Sequence, residues 1–141
     1  MTVIFARSTA EIGNVSTLAR LQFFQALAAA VGASNVAVQG VGYPADIPRF
    51  LAGGDAGGSA KMASLAAWAM SQCPNTKVMM AGYRYVPFRA EGAIHAKVVM
   101  GKKDRADATH SQGGQLVHNA AKMMPVAQTA AMSSGKILPK S

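Results

Sequence analysis

Apolar positions along this chain come in short runs, separated by glycine and proline or by longer stretches rich in alanine and leucine. Val3–Ala6 is a brief apolar run entered almost at the first residue, which predicts a buried strand. Leu21–Val31 (LQFFQALAAAV) is dense in helix formers, and Gly32 stands where a helix would close. Val36–Gln39 (VAVQ) predicts a second strand, ended by Gly40. From Tyr43 to Gly58 the chain is broken by Pro44, Pro48, Gly53, Gly54, Gly57 and Gly58, which predicts a loop with room for one helical turn. Ser59 is a suitable N-cap for a helix over Ala60–Gln72, stopped by Pro74. Lys77–Ala81 (KVMMA) predicts a third strand, and Gly113–Met124 a helix ended by Pro125. Strands joined by helices of this length form a parallel α/β sheet with right-handed connections. Trp68 and most of the nine methionines are expected to fill its core.

Composition narrows this further. The 141 residues suit one domain, and half of them are hydrophobic, which excludes a disordered, charge-rich tail. Cys73 is the only cysteine, so neither a disulfide framework within the chain nor a multi-cysteine metal site can form. No run of about 18 apolar residues offers a membrane span. Met1-Thr2-Val3-Ile4-Phe5-Ala6-Arg7 lacks a basic start, a long apolar stretch and a small-residue cleavage site, so it does not read as a secretory signal. A strand entered this early leads us to expect further residues upstream.

Fourteen basic residues against six acidic ones give a net charge of +8, unevenly spread. Residues 84–110 carry nine charges in 27 positions, whereas the other 114 positions carry 11. A step of that size marks an insertion, a long loop or a foreign piece. The excess charge invites a nucleic-acid reading, but the basic residues form no stripe.

The insertion splits a motif. Lys77–Ala81 runs into Gly82-Tyr83, and the helix from Gly113 is preceded by Ser111-Gln112. Joined from Tyr83 to Ser111, the pieces read AGY-SQGGQLVHNAA: strand, then G-x-S-x-G, then helix, the pattern of a nucleophile elbow. The spacing has a chemical purpose. A strained turn pushes the Ser111 hydroxyl out of the sheet, and Gly82 and Gly113 leave room for close backbone approach. The Gln112 amide, at a helix N-terminus, would donate to an oxyanion.

With these residues in view, the chain resembles the fungal cutinases. ARSTAEIGNV at 6–15 is similar to the family's A-R-G-[ST]-T-E-x-G-N segment. FFQALAAAVG, NVAVQGVGYPA, FLAGGDAGGSAKMASL, QCPNTKV and the rejoined GYSQGGQLVHNAA follow in the family's order. The resemblance covers residues 1–83 and 111–134. It implies a three-layer α/β/α sandwich on a central parallel sheet, the α/β-hydrolase fold, present here as a single truncated domain over 1–141 with the insertion at 84–110. It implies a secreted, monomeric serine esterase acting on cutin-type polyesters or short acyl esters, with no cofactor, metal, nucleic acid or membrane as partner. Ser111 would be the nucleophile, and Gln112 and Thr9 would supply the oxyanion donors. Cys73 matches a cysteine whose family partner lies before the first strand, so here it is expected to be unpaired.

The chain departs from the family in three places. Ser8 stands where the family usually has glycine. The residue two before Ser111 is Thr109 and not Gly82, and a β-branched side chain there would crowd the elbow. The family's catalytic Asp and His belong to a C-terminal part, and no D-x-[VI]-C or late P-H segment follows Ser134. Without that base the serine is a weak nucleophile, so the chain is expected to be impaired. His95 and His110, with Asp104 and Asp107 nearby, read as solvated loop residues rather than replacements, and His118 as a packing or surface residue. An inactive fragment or mis-spliced product is the alternative to an enzyme.

Insertion and ending share one explanation. The 27 inserted residues correspond to 81 nucleotides, in frame. Arg84-Tyr85-Val86 can be encoded with a GTATGT donor site, Ala106-Asp107 with a branch point, and His110-Ser111 with a CAG acceptor. Excision would restore a serine codon and GYSQGG. Gly135-Lys136 can encode a second donor. We therefore read 84–110 as a translated intron. If the segment is translated, Lys97–Gly101 (KVVMG) echoes Lys77–Met80 and could pair as an extra strand or compete for the same slot, with the rest of 84–110 poorly packed. Gly53–Gly58 is not a dinucleotide fingerprint but a turn. Gly101-Lys102-Lys103 lacks the rest of a P-loop, and the three histidines have no metal-ligand spacing.

Overall fold

A computed structural model describes residues 1–15, 19–82, 97–98 and 112–125, with the backbone alone for 19–22 and 97–98. Strand β1 is Thr2–Ala6, helix α1 Ala19–Val31, strand β2 Ala37–Gly40, helix α2 Ile47–Leu51, helix α3 Ala56–Gln72, strand β3 Val78–Gly82, strand β4 Lys97–Val98 and helix α4 Gln112–Met123. The strand order is β2-β1-β3-β4. β1 pairs in parallel with β2 (Val3 opposite Val38) and with β3 (Ala6 opposite Gly82). Of the two alternatives for Lys97–Gly101, pairing as an extra strand is seen at Lys97–Val98, antiparallel to β3, and 99–101 lie outside the described residues.

Alternation along the strands sends side chains to opposite faces, and each face is covered by helix. Val3, Phe5, Met79 and Ala81 pack under α1, where Phe5 meets Phe24 edge-to-face at 5.3 Å. Ile4, Ala6, Val78 and Met80 pack against Met62, Ala66 and Ala69 of α3 and Leu116, Val117 and Ala120 of α4. The result is a three-layer α/β/α arrangement, with β1 and β3 at its centre.

Two expectations fail at α3. The helix begins at Ala56, earlier than the sequence suggests, because Asp55 caps it: its carboxylate accepts from the Gly58 amide. A carboxylate at this position also meets the positive end of the helix dipole. Ser59 lies buried within the first turn, its hydroxyl donating to the Asp55 carbonyl at 2.8 Å. Trp68 is not in the core but 63% exposed. The buried face of α3 is Ser59, Met62, Ala66 and Ala69, and position 68 falls outside that stripe. Gly53 and Gly54, both at positive φ, turn the chain from α2 into α3.

Candidate active site

The carboxyl ends of β1 and β3 lie side by side, since Ala6 pairs with Gly82. In open α/β sheets that edge is where ligands bind. The N-terminus of α4 meets it directly. A Cβ placed on Gly82 would stand 2.3 Å from the Gly113 carbonyl oxygen and 2.9 Å from the Gly114 nitrogen. Nothing but glycine tolerates that approach. Gly82 and Gly113, separated by the whole insertion in sequence, therefore touch in space. The crowding expected from Thr109 concerns a residue outside those described, as do Ser111, His95, Asp104, Asp107 and His110. Ser111 immediately precedes Gln112, the first residue of α4. His118, further along α4, is half-buried.

Gln112 is fully buried, and neither its Nε2 nor its Oε1 has a hydrogen-bond partner among the described residues. Gly113 is buried beside it.

Thr9, half-buried, follows β1 in a loop that several side chains hold in shape. The Arg7 guanidinium donates through Nε to the Glu11 carbonyl (2.8 Å) and through Nη2 to the Tyr43 carbonyl, and it stacks 4.8 Å over the Tyr43 ring. The Tyr43 hydroxyl donates back to the Arg7 carbonyl. The Glu11 carboxylate accepts from the Ser8 amide at 2.8 Å. Ala10 takes a left-handed φ of 63° while its amide donates to the Ala45 carbonyl at 2.6 Å. A non-glycine residue pays strain for that conformation, and the surrounding bonds hold it there. Burial pushes the Tyr43 hydroxyl well above the ordinary tyrosine range, with the Arg7 charge pulling against it. It stays a neutral donor. Sequence reading missed this clamp, although Arg7 and Glu11 lie four apart and Tyr43 sits in the GVGYPA turn.

On the other flank, α2 exposes Ile47 and Leu51. It is strapped to α4 by two side chains one turn apart: Gln115 donates to the Phe50 carbonyl (3.2 Å) and Asn119 to the Gly53 carbonyl (3.0 Å). Arg49 joins the two caps, pairing with Asp46 and, at 2.8 Å, with Asp55. Among the described residues no three His, Cys, Asp or Glu side chains gather to hold a metal ion. No helix among them is long and apolar enough to cross a membrane.

Comparison with known proteins decides the family: its cutinase profile matches residues 1–108. The chain belongs to the cutinase family. It is 42% identical over 137 residues to a cutinase of Botryotinia fuckeliana, covering 97% of this chain and 54% of that protein. It is 43% identical over 134 residues to a cutinase of Pyrenopeziza brassicae, covering 95% and 53% respectively. Among solved structures it is similar to a Trichoderma reesei cutinase in complex with a phosphonate inhibitor, at 31% identity and a TM-score of 0.68, covering 94% of this chain and 48% of that one. The chain thus spans about half the length of the curated cutinases it matches. The three-layer fold expected from the cutinase resemblance stands. Cys73 is free and exposed.

Proposed function

We propose that this chain carries the nucleophile-bearing half of a secreted, cutinase-type serine esterase, as one domain interrupted at 84–110. The contact of Gly82 with Gly113 carries the reading, because it brings the two parts of G-x-S-x-G together at the start of α4. In this mechanism the Ser111 hydroxyl oxygen attacks the ester carbonyl carbon and gives up its proton. The charge that develops on the carbonyl oxygen is met by the Gln112 backbone amide, reinforced by the α4 dipole, and by donors of Thr9. Collapse expels the alcohol and leaves an acyl-serine, which water then cleaves to free acid and serine. The base and its orienting acid belong to the half of the fold that the resemblance places further along the chain. Exposed Ile47 and Leu51 beside the site suit an apolar substrate such as a polyester surface or a short acyl ester. Family membership favours this reading over a basic nucleic-acid binder.

Fluorophosphonate labelling tests it. A formed site with its base labels at Ser111, and Ser111→Ala abolishes the label. This chain, without the base, is expected to label slowly at Ser111, whereas an inactive fragment does not label above the Ser111→Ala background. Turnover of p-nitrophenyl butyrate by the 141-residue chain is expected to be slow, for lack of the base. Fast turnover that Ser111→Ala removes would overturn that expectation of impairment.

A further inference from the structure

The handedness of the connections says where the sheet should grow. From β1 the chain passes through α1, on the Phe5 face, to β2 on one side. From β2 it returns through α3, on the opposite face, to β3 on the other side of β1. Steps in opposite directions over opposite faces share one hand, the right-handed one. Helix α4 follows β3 on the same face as α3, since Leu116, Val117 and Ala120 share a cluster with Met62, Ala66 and Ala69. A right-handed connection through α4 therefore continues in the direction of the β2-to-β3 step. It leads to the slot beside β3 on the side away from β1. In this structure that slot holds β4, running antiparallel, with Ala81 opposite Val98 and Gly82 opposite Lys97.

We infer that β4 is a guard strand. It occupies the β3 edge that the topology reserves for the next parallel strand, and it keeps a second copy of the chain from pairing there. The two pairings exclude each other at Ala81 and Gly82, because that stretch of edge offers one row of amides and carbonyls. The edge needs a guard. β3 reads VMMAG, is buried along its whole length and carries no charge, so a bare edge would template pairing with an identical strand. The guard has the properties that blunt an edge: it is two residues long and brings a lysine. It covers Ala81 and Gly82, the end of the strand next to the Gly113 contact. This inference is independent of the esterase reading.

The test compares the intact 141-residue chain with the double variant Lys97→Pro/Val98→Pro, which cannot donate ladder hydrogen bonds from either position. The intact chain is expected to sediment at one rate across a concentration series, with the Gly82 amide, which faces β4, protected from hydrogen exchange. The double variant is expected to lose that protection at low concentration and to sediment faster as concentration rises. A chain with 84–110 removed, Tyr83 joined to Ser111, serves if the proline variant fails to fold. It should also self-associate, and a peptide of residues 95–101 should reverse this. If both altered chains sediment at one rate throughout, or if the Gly82 amide stays as protected in the proline variant as in the intact chain, the guard role is overturned.

Discussion

At Gly82 a single hydrogen in place of a side chain decides how β3 and α4 meet. Substitution by alanine puts a methyl group 2.3 Å from a backbone oxygen, and backbone cannot swing aside as a flexible side chain can. Gly82→Ala is expected to cost about 1–3 kcal/mol of stability, the usual range for overpacking, measured by urea denaturation. It should also weaken fluorophosphonate labelling at Ser111. Tyr43 is the other residue whose chemistry reaches beyond itself. Its hydroxyl is held neutral by burial, so the folded state keeps its proton at pH values where the unfolded chain releases it. The folded chain then binds more protons than the unfolded one above about pH 10, the ordinary tyrosine value, and stability falls as pH rises from there. Tyr43→Phe is expected to flatten that alkaline decline. At neutral pH it should cost about 0.5–1.5 kcal/mol for the lost bond to the Arg7 carbonyl. Denaturation midpoints at neutral and alkaline pH check both parts.

At the level of elements, most of the fold was legible because its apolar runs are short and well separated. All three parallel strands and the helices ending at Val31, Gln72 and Met123 lie within a few residues of where the sequence puts them. The start of α3 was not legible, for a physical reason. Gly57 and Gly58 look like loop, yet Asp55 can bond the Gly58 amide only if both are already helical. Asp55→Ala is therefore expected to cost about 1 kcal/mol, within the range for lost N-caps, and Ser59→Ala clearly less. Equal losses in thermal denaturation would return the cap to Ser59. Trp68 was misplaced because an apolar residue on an apolar helix says nothing of which stripe it occupies, and in α3 alanine and methionine hold the buried one. In the candidate site the glycines of the split motif were legible from spacing alone. The clamp of Arg7, Glu11 and Tyr43 was not, because 36 positions separate Arg7 from Tyr43 and no local pattern links them.

For the whole molecule, the question is whether 84–110 is translated. The intron reading predicts transcripts that lack codons 84–110 and depart from the present sequence after codon 135. Sequencing across codons 83–111 and past 135 checks it, and transcripts continuous through both regions overturn it. Spliced transcripts would also free the β3 edge that β4 covers, so the two forms would differ in how their sheets can grow. The contact between Gly82 and the start of α4 has one more consequence. It closes across the 29 residues from Tyr83 to Ser111, yet the packing of Leu116 and Val117 beside Val78 and Met80 belongs to the sheet and the helix alone. Chain closure grows dearer only with the logarithm of length, by about 0.6 kcal/mol per doubling, so the junction is thermodynamically nearly indifferent to what is threaded through it. The seam between β3 and α4 is thus a natural port for foreign sequence: an affinity tag, a reporter domain or new chain ends could be set there while strand and helix still find each other.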